Sequence, residues 1–355
     1  MRVLITGGAG FVGGNLAVSL SGRHPDWELV ALDNLMRRGS ELNLPRLRQA
    51  GVEFRHGDVR DPTDLAAAGA FDAIVECSAE PSVLAGFAEA SYSVQTNLVG
   101  AFNCLERARQ EDAFLVFLST SRVYPVAPQL ELKLEEVETR FELAPVQPLA
   151  GASSAGLAED FPLRGARTLY GATKLSAELL IEEYADAFGL RAVVDRCGVI
   201  AGPWQMGKVD QGVFSWWLLS HHFGRPLSYI GYGGSGKQVR DLLHVEDLVD
   251  LVDEQLGQPG RWAGVTANVG GGREGSLSLL ETTEICRELT GNEVPISTET
   301  EARRGDVPVY LSDCSHLHSL TSWRPSREPL KVLQDVLDWA SEHEGELRAA
   351  LGFDG

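Results

Sequence analysis

The sequence predicts an α/β fold, a doubly wound parallel sheet followed by a smaller mixed α/β C-terminal lobe. Three observations predict it. Five short apolar runs recur in the first 120 residues, with helix-length segments between most of them. A glycine-rich turn follows the first run directly. The alternation lapses after Tyr124, and beyond Gly202 the elements become smaller and more mixed.

The runs are RVLITG, ELVALD, VEFRHGD, FDAIVEC and AFLVFLST. Short, continuously apolar strands alternating with helices belong to a parallel sheet covered on both faces. Helices are expected over Asn15–Ser21 and Val94–Arg109. Residues 125–165 form a long irregular insert rich in Pro, Glu, Ala and Gly, with a short helix expected near Glu131–Glu138. Such a segment in a compact domain is either functional or disordered. Thr168–Phe188 reads as one helix and RAVVDRCGVI as the next buried strand. Further on, helices are expected at 212–222, 244–256, 277–290 and 328–347, and strands near 227–230, 265–269 and 295–298. The expected division is a first domain over 1–200, carrying the insert, and a second mainly over 201–355, interleaved with the first.

Composition removes several function classes. The 355 residues carry a net charge of −19, a field that repels nucleic-acid phosphates, so nucleic acid is not an expected partner. A small anionic ligand would need locally placed arginines. No window approaches the ~18–20 uncharged apolar residues of a membrane span. The N-terminus, MRVLITGG, lacks the basic flank and long apolar region of a signal peptide. A cytoplasmic protein without a membrane partner is expected. Cys77, Cys104, Cys197, Cys286 and Cys314 are widely spaced, with no Cys-x-x-Cys pair and no His cluster beside them. They predict buried reduced thiols and no metal site.

The stretch ITGGAGFVGGN carries Gly7, Gly10 and Gly13 between the first strand and the first helix. A glycine triplet in that place permits a tight turn, close approach to a pyrophosphate and close helix–strand packing, with the helix N-terminus facing the phosphates. Asp33 closes the second strand about 20 residues later. A carboxylate there accepts hydrogen bonds from both ribose hydroxyls and repels a 2′-phosphate, which favours NAD over NADP. Arg37 and Arg38 pull the other way, since arginine accommodates a 2′-phosphate. Asp58 and Val59, after the third strand, are placed to meet the adenine; Asp58 alternatively caps the segment RDPTDL.

The stretch LYGATK places Tyr170 and Lys174 four apart on one face of a helix. With seven tyrosines and five lysines, chance would supply this spacing roughly 0.1 times. A phenol is too weak a base near neutral pH, but an adjacent ammonium stabilises the phenolate. Upstream, FLSTSRVY ends the fifth strand with Ser119, Thr120 and Ser121. A hydroxyl here can orient a reacting sugar hydroxyl toward Tyr170; capping of the strand end is the other use for these groups.

Together, GGAGFVG, Asp33, STSRVY and YGATK resemble the extended short-chain dehydrogenase/reductase family of nucleotide-sugar epimerases and dehydratases, over essentially the whole chain. The resemblance implies a Rossmann domain with tightly bound NAD and a C-terminal lobe for a nucleoside diphosphate sugar. It also implies a homodimer or higher homo-oligomer formed through helices that include the Tyr170/Lys174 helix. The full cofactor set is Gly7, Gly10, Phe11, Val12, Gly13, Asp33, Asn34, Arg37, Asp58, Val59, Ser78, Asn97, Tyr170 and Lys174. Asn97, in the family's N-x-x-G segment, is expected to support the active-site helix. Thr120, Tyr170 and Lys174 form the catalytic set.

Sugar 4,6-dehydratases of the family carry an Asp-Glu pair after the catalytic Thr, as acid and base for water loss. Here Ser121 and Arg122 stand there. STSRVY instead resembles the STNKVY of CDP-paratose 2-epimerases, as do the insert with ETRFEL, the stretch GPWQMGKVDQGVFSWW and the stretch GKQVRDLLHVEDL. This implies epimerisation at C2 of a CDP-sugar through a transient ketone, with hydride returned to the opposite face. A nucleotide-sugar 4-epimerase would use the same residues, another sugar-nucleotide oxidoreductase stays open, and a non-catalytic NAD-binding regulator is the reading from a different class. Arg240 and Arg303 are the expected diphosphate ligands, Arg304 being the neighbouring alternative, because a guanidinium fork binds phosphate oxygens in pairs. Glu80, Ser121, Arg122 and Gln238 complete the substrate set.

Several positions depart from the family. HLAAQPSV appears as ECSAEPSV, so Glu76 replaces the His and Glu80 the Gln at the sugar-side pocket. A carboxylate facing a sugar would bind hydroxyls, exclude acidic sugars or mark a distinct substrate. Val199 stands for an Asn near the diphosphate and Pro125 for a Gly after VY. The stretch GYGGSGKQ, Gly231–Gln238, nearly spells a P-loop, but Gln238 has no hydroxyl for Mg²⁺ and a strand-like segment follows. It reads as a flexible turn that delivers Gln238 and Arg240 to the nucleotide.

Overall fold

The computed structural model describes residues 1–82, 86, 89–207 and 211–352. The chain folds into two compact units. The first comprises Met1–Thr120, Thr168–Arg196 and Leu248–Thr266; the second comprises Ser121–Arg167, Cys197–Asp247 and Ala267–Gly355. Among the described residues no helix is long and apolar enough to cross a membrane.

The first unit is built on a seven-stranded sheet. Its strands are β1 (Arg2–Thr6), β2 (Glu28–Asp33), β3 (Glu53–His56), β4 (Ala73–Glu76), β5 (Phe114–Thr120), β6 (Ala192–Cys197) and β7 (Val265–Val269), in spatial order 7-6-5-4-1-2-3. β1 pairs in parallel with β2 and β4, β2 with β3, and β4 with β5. Chain direction across the sheet reverses between β1 and β4, and ligands of such sheets bind beyond the strand C-termini at that reversal. Leu4, Val30, Ile74, Leu115 and Phe117 of the strands pack with Cys104 and Leu105 of helix α2 (Gly100–Glu111) and Ala177 and Ile181 of helix α3 (Leu169–Phe188). The continuously apolar strands are thus buried on both faces, as a Rossmann-type sheet requires.

The segment expected as one helix over Val94–Arg109 is three pieces: a helical turn at Ala90–Val94, a π turn at Gln95–Val99, and α2. π turns widen the helix by one residue and are frequent at functional sites. RAVVDRCGVI is likewise divided. Gly198 ends β6, and Val199–Ala201 joins a different sheet. A Cβ at Gly198 would stand 2.7 Å from the Asp241 carboxylate oxygens, so only glycine permits the crossing there.

In the second unit Val239–His244 is the central strand of a four-stranded mixed sheet. It runs parallel to Val199–Ala201 and Val309–Tyr310 and antiparallel to Ser276–Ser278. The helix expected near Glu131–Glu138 is instead a hairpin, Leu134–Glu136 against Phe141–Leu143. Glutamate-rich composition favours a helix, but Leu132 and Leu134 alternate with polar residues, and the Phe141 amide donates to the Lys237 carbonyl at 2.9 Å. Pairing and burial override local propensity. The helix expected over 328–347 breaks at His343 into Pro329–Glu342 and Glu344–Leu351.

One buried charge in the first unit makes stability depend on pH. Asp195 of β6 is fully buried and accepts a hydrogen bond from Gln255 Nε2 at 2.9 Å, from helix α4 (Val245–Gly257). Burial pushes its carboxyl up to about 7 from 3.8. The folded state therefore holds a proton that the unfolded state releases between those values. This contribution is complete below about pH 4 and is lost as pH rises to about 7. Asp195→Asn keeps the acceptor and removes the charge. Urea melts should show the variant gaining on the wild type across that window, by on the order of 2–4 kcal/mol at pH 8. A difference that stays flat with pH would contradict the assignment.

Candidate active site

The turn after β1 lies at the reversal between β1 and β4. Gly7 has φ +61°, and a Cβ on it would stand 3.0 Å from the Cys77 carbonyl oxygen, just past β4. A Cβ on Gly13 would fall 2.3 Å from the Gly7 oxygen, so helix α1 (Phe11–Arg23) packs on the turn backbone to backbone. Gly10 is the N-cap of α1, with no side-chain cap and no acid in the first turn, which Phe11 and Val12 open. The first-turn amides and the helix dipole make this end a seat for an anion.

Asp33 ties the end of β2 to that turn. Its carboxylate accepts from the Ala9 amide at 3.1 Å and the Leu35 amide at 2.7 Å, one oxygen each, which leaves acceptor capacity on both. Burial pushes its carboxyl up, against the pull of these amides. Arg37 follows, half-buried, on the same loop.

Asn34 donates to Asp58 at 2.9 Å, and Arg60 grips the same carboxylate through Nε at 2.9 Å and Nη2 at 2.6 Å. Arg60, then burial acting in the opposite sense and Asn34, set the Asp58 carboxyl at about 2. The helix over Pro62–Ala67 is capped by Asp61, not by Asp58. The Val59 side chain lies in the core, 5% exposed, against Gly100.

Ser78 follows β4, buried, with its amide 3.1 Å from where a Gly7 Cβ would stand. Asn97, in the π turn, has both ends of its amide on Glu80: Oδ1 accepts from the Glu80 amide at 2.7 Å, and Nδ2 donates to the Glu80 carbonyl at 3.1 Å. The π turn packs against α3, but the Asn97 side chain holds the loop after β4. Glu80 in turn accepts from the Ser82 amide at 2.9 Å.

Helix α3 begins at Thr168, whose hydroxyl caps the Gly171 amide at 3.2 Å. Tyr170 sits half-buried in its first turn and Lys174 one turn later, fully buried. Lys174 Nζ lies 3.0 Å from Glu76 Oε2 and 4.3 Å from the Phe117 ring centroid. Burial works against the charged lysine, but Glu76 and Tyr170 outweigh it, and the net shift holds Lys174 as an ammonium. Burial raises the Glu76 carboxyl, Lys174 opposing. Glu76 is 1% exposed: β4 points it under α3, at the lysine.

Of the three hydroxyls ending β5, Ser119 donates to Glu178 of α3, which is itself held by Arg196. Thr120 closes the strand, buried, and Ser121 opens the short turn Ser121–Val123 of the second unit.

Within the second unit, Arg240 donates through Nη2 to Asp306 Oδ1 at 2.5 Å and to the Val307 carbonyl at 2.6 Å. Arg122 donates to the Gly305 carbonyl at 2.9 Å. Both guanidinium groups act on Tyr232, whose buried hydroxyl has no hydrogen-bond partner among the described residues. Burial and then Asp306 push this phenol up to about 12, against Arg240 and Arg122. Arg303 lies on the same loop as Asp306, whose amide donates to its carbonyl at 3.1 Å. Gln238 Nε2 donates to the Ile230 carbonyl at 3.0 Å.

Tyr232 was not among the sequence candidates, although it stands inside GYGGSGKQ. Its own φ of 51°, among several positive-φ glycines, marks a backbone that no periodicity announces. The lysine that makes the stretch resemble a P-loop, Lys237, is engaged elsewhere: Nζ donates to Glu136 at 2.8 Å and to the Val137 carbonyl at 2.9 Å in the insert hairpin. Lys208, Val209 and Asp210 of GPWQMGKVDQGVFSWW, and Val83 of ECSAEPSV, lie outside the described residues. Among the described residues no group of three or more His, Cys, Asp or Glu side chains could hold a metal ion.

Known proteins are similar to this chain over nearly its whole length. A CDP-paratose 2-epimerase of Salmonella typhi is 31% identical over 352 residues, covering 96% of this chain and 99% of that protein. A dTDP-glucose 4,6-dehydratase of Mycobacterium tuberculosis is 28% identical over 350 residues, covering 97% and 94%. Among solved structures, a Thermus thermophilus UDP-glucose 4-epimerase complex with NAD superposes with a TM-score of 0.76 at 26% identity, covering 96% of this chain and 98% of that one. A Streptomyces venezuelae dTDP-glucose 4,6-dehydratase with NAD bound gives 0.78 at 27% identity, covering 99% and 100%. The β1–α1 turn fits the same cofactor: glycine backbone meets backbone where any Cβ would clash, the helix end is uncapped, and Asp33 keeps acceptor capacity. Residues 3–270 match the family model described as the NAD dependent epimerase/dehydratase family, and the chain belongs to that family.

Proposed function

We propose that the protein epimerises a nucleoside diphosphate sugar at C2, with a CDP-sugar as substrate, by transient oxidation to the keto-sugar. The observation that carries this reading is the α3 face that sets Tyr170 one turn from a buried, charged Lys174. The identity to a CDP-paratose 2-epimerase across nearly all of both chains supports the choice of carbon and nucleotide. So does Ser121-Arg122 after Thr120, where an acid–base pair for water loss would otherwise stand.

Bound NAD supplies a reversible hydride acceptor. Tyr170, as phenolate beside the Lys174 ammonium, removes the proton of the C2 hydroxyl and later returns it. Thr120, and secondarily Ser121, hydrogen-bonds the same oxygen. Arg240 and Arg303, with Arg122 beside them, hold the diphosphate, and Gln238 the nucleotide. Glu80 takes sugar hydroxyls. Turning the ketone over before hydride return inverts the carbon with no net redox change. Self-association through α3 belongs to the reading, since Leu179 and Phe188 on α3 and Phe102 on α2 are exposed apolar side chains.

Incubation with CDP-, UDP-, GDP- and dTDP-sugars in ordinary and deuterated water tests it. The expected product is the C2 epimer of a CDP-sugar with no deuterium at the epimerised carbon, because hydride returns from the cofactor. Turnover at C4 of another nucleotide sugar would replace the reading by a 4-epimerase. Retained NAD with no turnover of any sugar would favour a regulator.

A further inference from the structure

Glu76 is a buried carboxylate to which the epimerase chemistry assigns no task. It lies on β4, 98 residues from Lys174, yet it meets that lysine at 3.0 Å with both side chains at most 2% exposed. Its Oε1 has no hydrogen-bond partner among the described residues. Water cannot screen the pair, so charge placed on Glu76 is felt at Lys174 and one turn away at Tyr170.

We propose that Glu76 is a positioning residue that partly cancels the Lys174 charge and thereby sets the pH at which Tyr170 ionises. A lone ammonium beside a phenol favours the phenolate. An ammonium held against a carboxylate presents a dipole to the phenol, which favours it less. The ion pair also fixes Nζ over the Phe117 ring and under Tyr170's helix. The proposal rests on the reading of Tyr170 as the base.

On the described elements packed against α3, the other charged side chains are paired among themselves. α3 itself contributes Tyr170 and, one turn beyond Lys174, Glu178, which Arg196 of β6 holds at 2.8 Å. Cys77 beyond β4 and Cys104 on α2 feel the pair, but burial pushes both thiols up, so they are neutral. β5 faces the ammonium with Phe117. The helical turn ASYSV and the π turn QTNLV, both packed on α3, carry no charged side chain. Tyr92, the titratable group between them, lies 5.0 Å from the Arg60 guanidinium. On α2, Glu106 pairs with Arg109, and Arg107 with Glu111.

The test is an ultraviolet tyrosinate titration of the NAD-loaded protein, read beside the acid limb of kcat/KM. The wild type should show a low-pH tyrosinate step that Tyr170→Phe abolishes. Glu76→Gln should move that step, and the acid limb with it, down by about one pH unit. Glu76→His, uncharged above its own titration, should move it the same way if the Gln variant does not fold. Glu76→Asp keeps the charge and should hold the step within a few tenths of its wild-type pH. In a Lys174→Met background the buried Glu76, stripped of its ammonium, takes up a proton, so Glu76→Gln should produce no further displacement. A step that stays in place, or moves up, in both neutral variants overturns the proposal. The titration needs no sugar, so a mistaken substrate assignment would leave it intact, whereas loss of the step's dependence on Glu76 would leave the epimerase assay untouched.

Discussion

Tyr170→Phe is expected to lower kcat by about 10²–10⁴-fold while fold, bound NAD and KM stay close to wild type. The substitution removes one oxygen from a half-buried side chain in the first turn of α3. The cap at Thr168, the Lys174–Glu76 pair and the Phe117 contact are all made without it. What disappears is the group that takes and returns the proton, and its interaction with the sugar oxygen is strongest as that proton leaves. An interaction made mainly in the transition state appears in kcat rather than in KM. Steady-state kinetics on the substrate found in the sugar panel, with circular dichroism and cofactor content as controls, give the answer. A variant that keeps more than a tenth of the wild-type rate would sink the assignment of Tyr170 as the base.

Arg196→Ala should produce the largest stability loss of any single ion-pair substitution considered, about 3–5 kcal/mol. Arg196 is 5% exposed and reaches Glu178 of α3, 3% exposed, at 2.8 Å through Nη2 and 3.1 Å through Nε. Ser119 donates to the other carboxylate oxygen. Truncating the arginine leaves a buried carboxylate with a single hydroxyl to solvate it, and desolvation dominates the cost. The contrast is Arg109→Ala, which breaks an exposed pair with Glu106 on the α2 surface at 2.9 Å. Solvent screens that pair, and it contributes about 0–1 kcal/mol. Urea midpoints of the two variants compare them directly. Replacing both partners, Arg196→Met with Glu178→Leu, should recover much of the loss, because the cost lies in the stranded charge. Equal midpoints for Arg196→Ala and Arg109→Ala would refute the argument.

The first unit was largely legible in the sequence because its determinants are local. Each of the five early apolar runs is a strand. The glycine turn opens α1, and the Thr168 cap opens a helix that runs to Phe188. Errors fell where a distant partner decided the outcome. The segment near Glu131–Glu138 has helical composition, yet it pairs with Phe141–Leu143 and against the Lys237 carbonyl. RAVVDRCGVI is one apolar run, and Gly198 sends its two halves into two sheets.

The candidate residues divide the same way. Asp33 and the glycines show their character through type and spacing alone. That Val59 is core, that Asp58 is gripped by Arg60, and that the Asn97 amide holds the Glu80 backbone are outcomes of packing. Tyr232 stands in a stretch that its glycines and Lys237 make resemble a P-loop.

By itself, the sequence determined the alternation of strand and helix, the dinucleotide turn, and the Tyr170–Lys174 face. Hydrophobic period, glycine placement and i,i+4 spacing act over a few residues and need no partner from elsewhere. Only the tertiary structure decided what the charges do. Glu76 points under α3 at Lys174 rather than at a ligand, Lys237 grips Glu136 rather than a phosphate, and Arg240 leans on Asp306. A charge is indifferent to its sequence neighbours when a buried opposite charge lies within 3 Å, and which charge that is depends on how strands and helices stack.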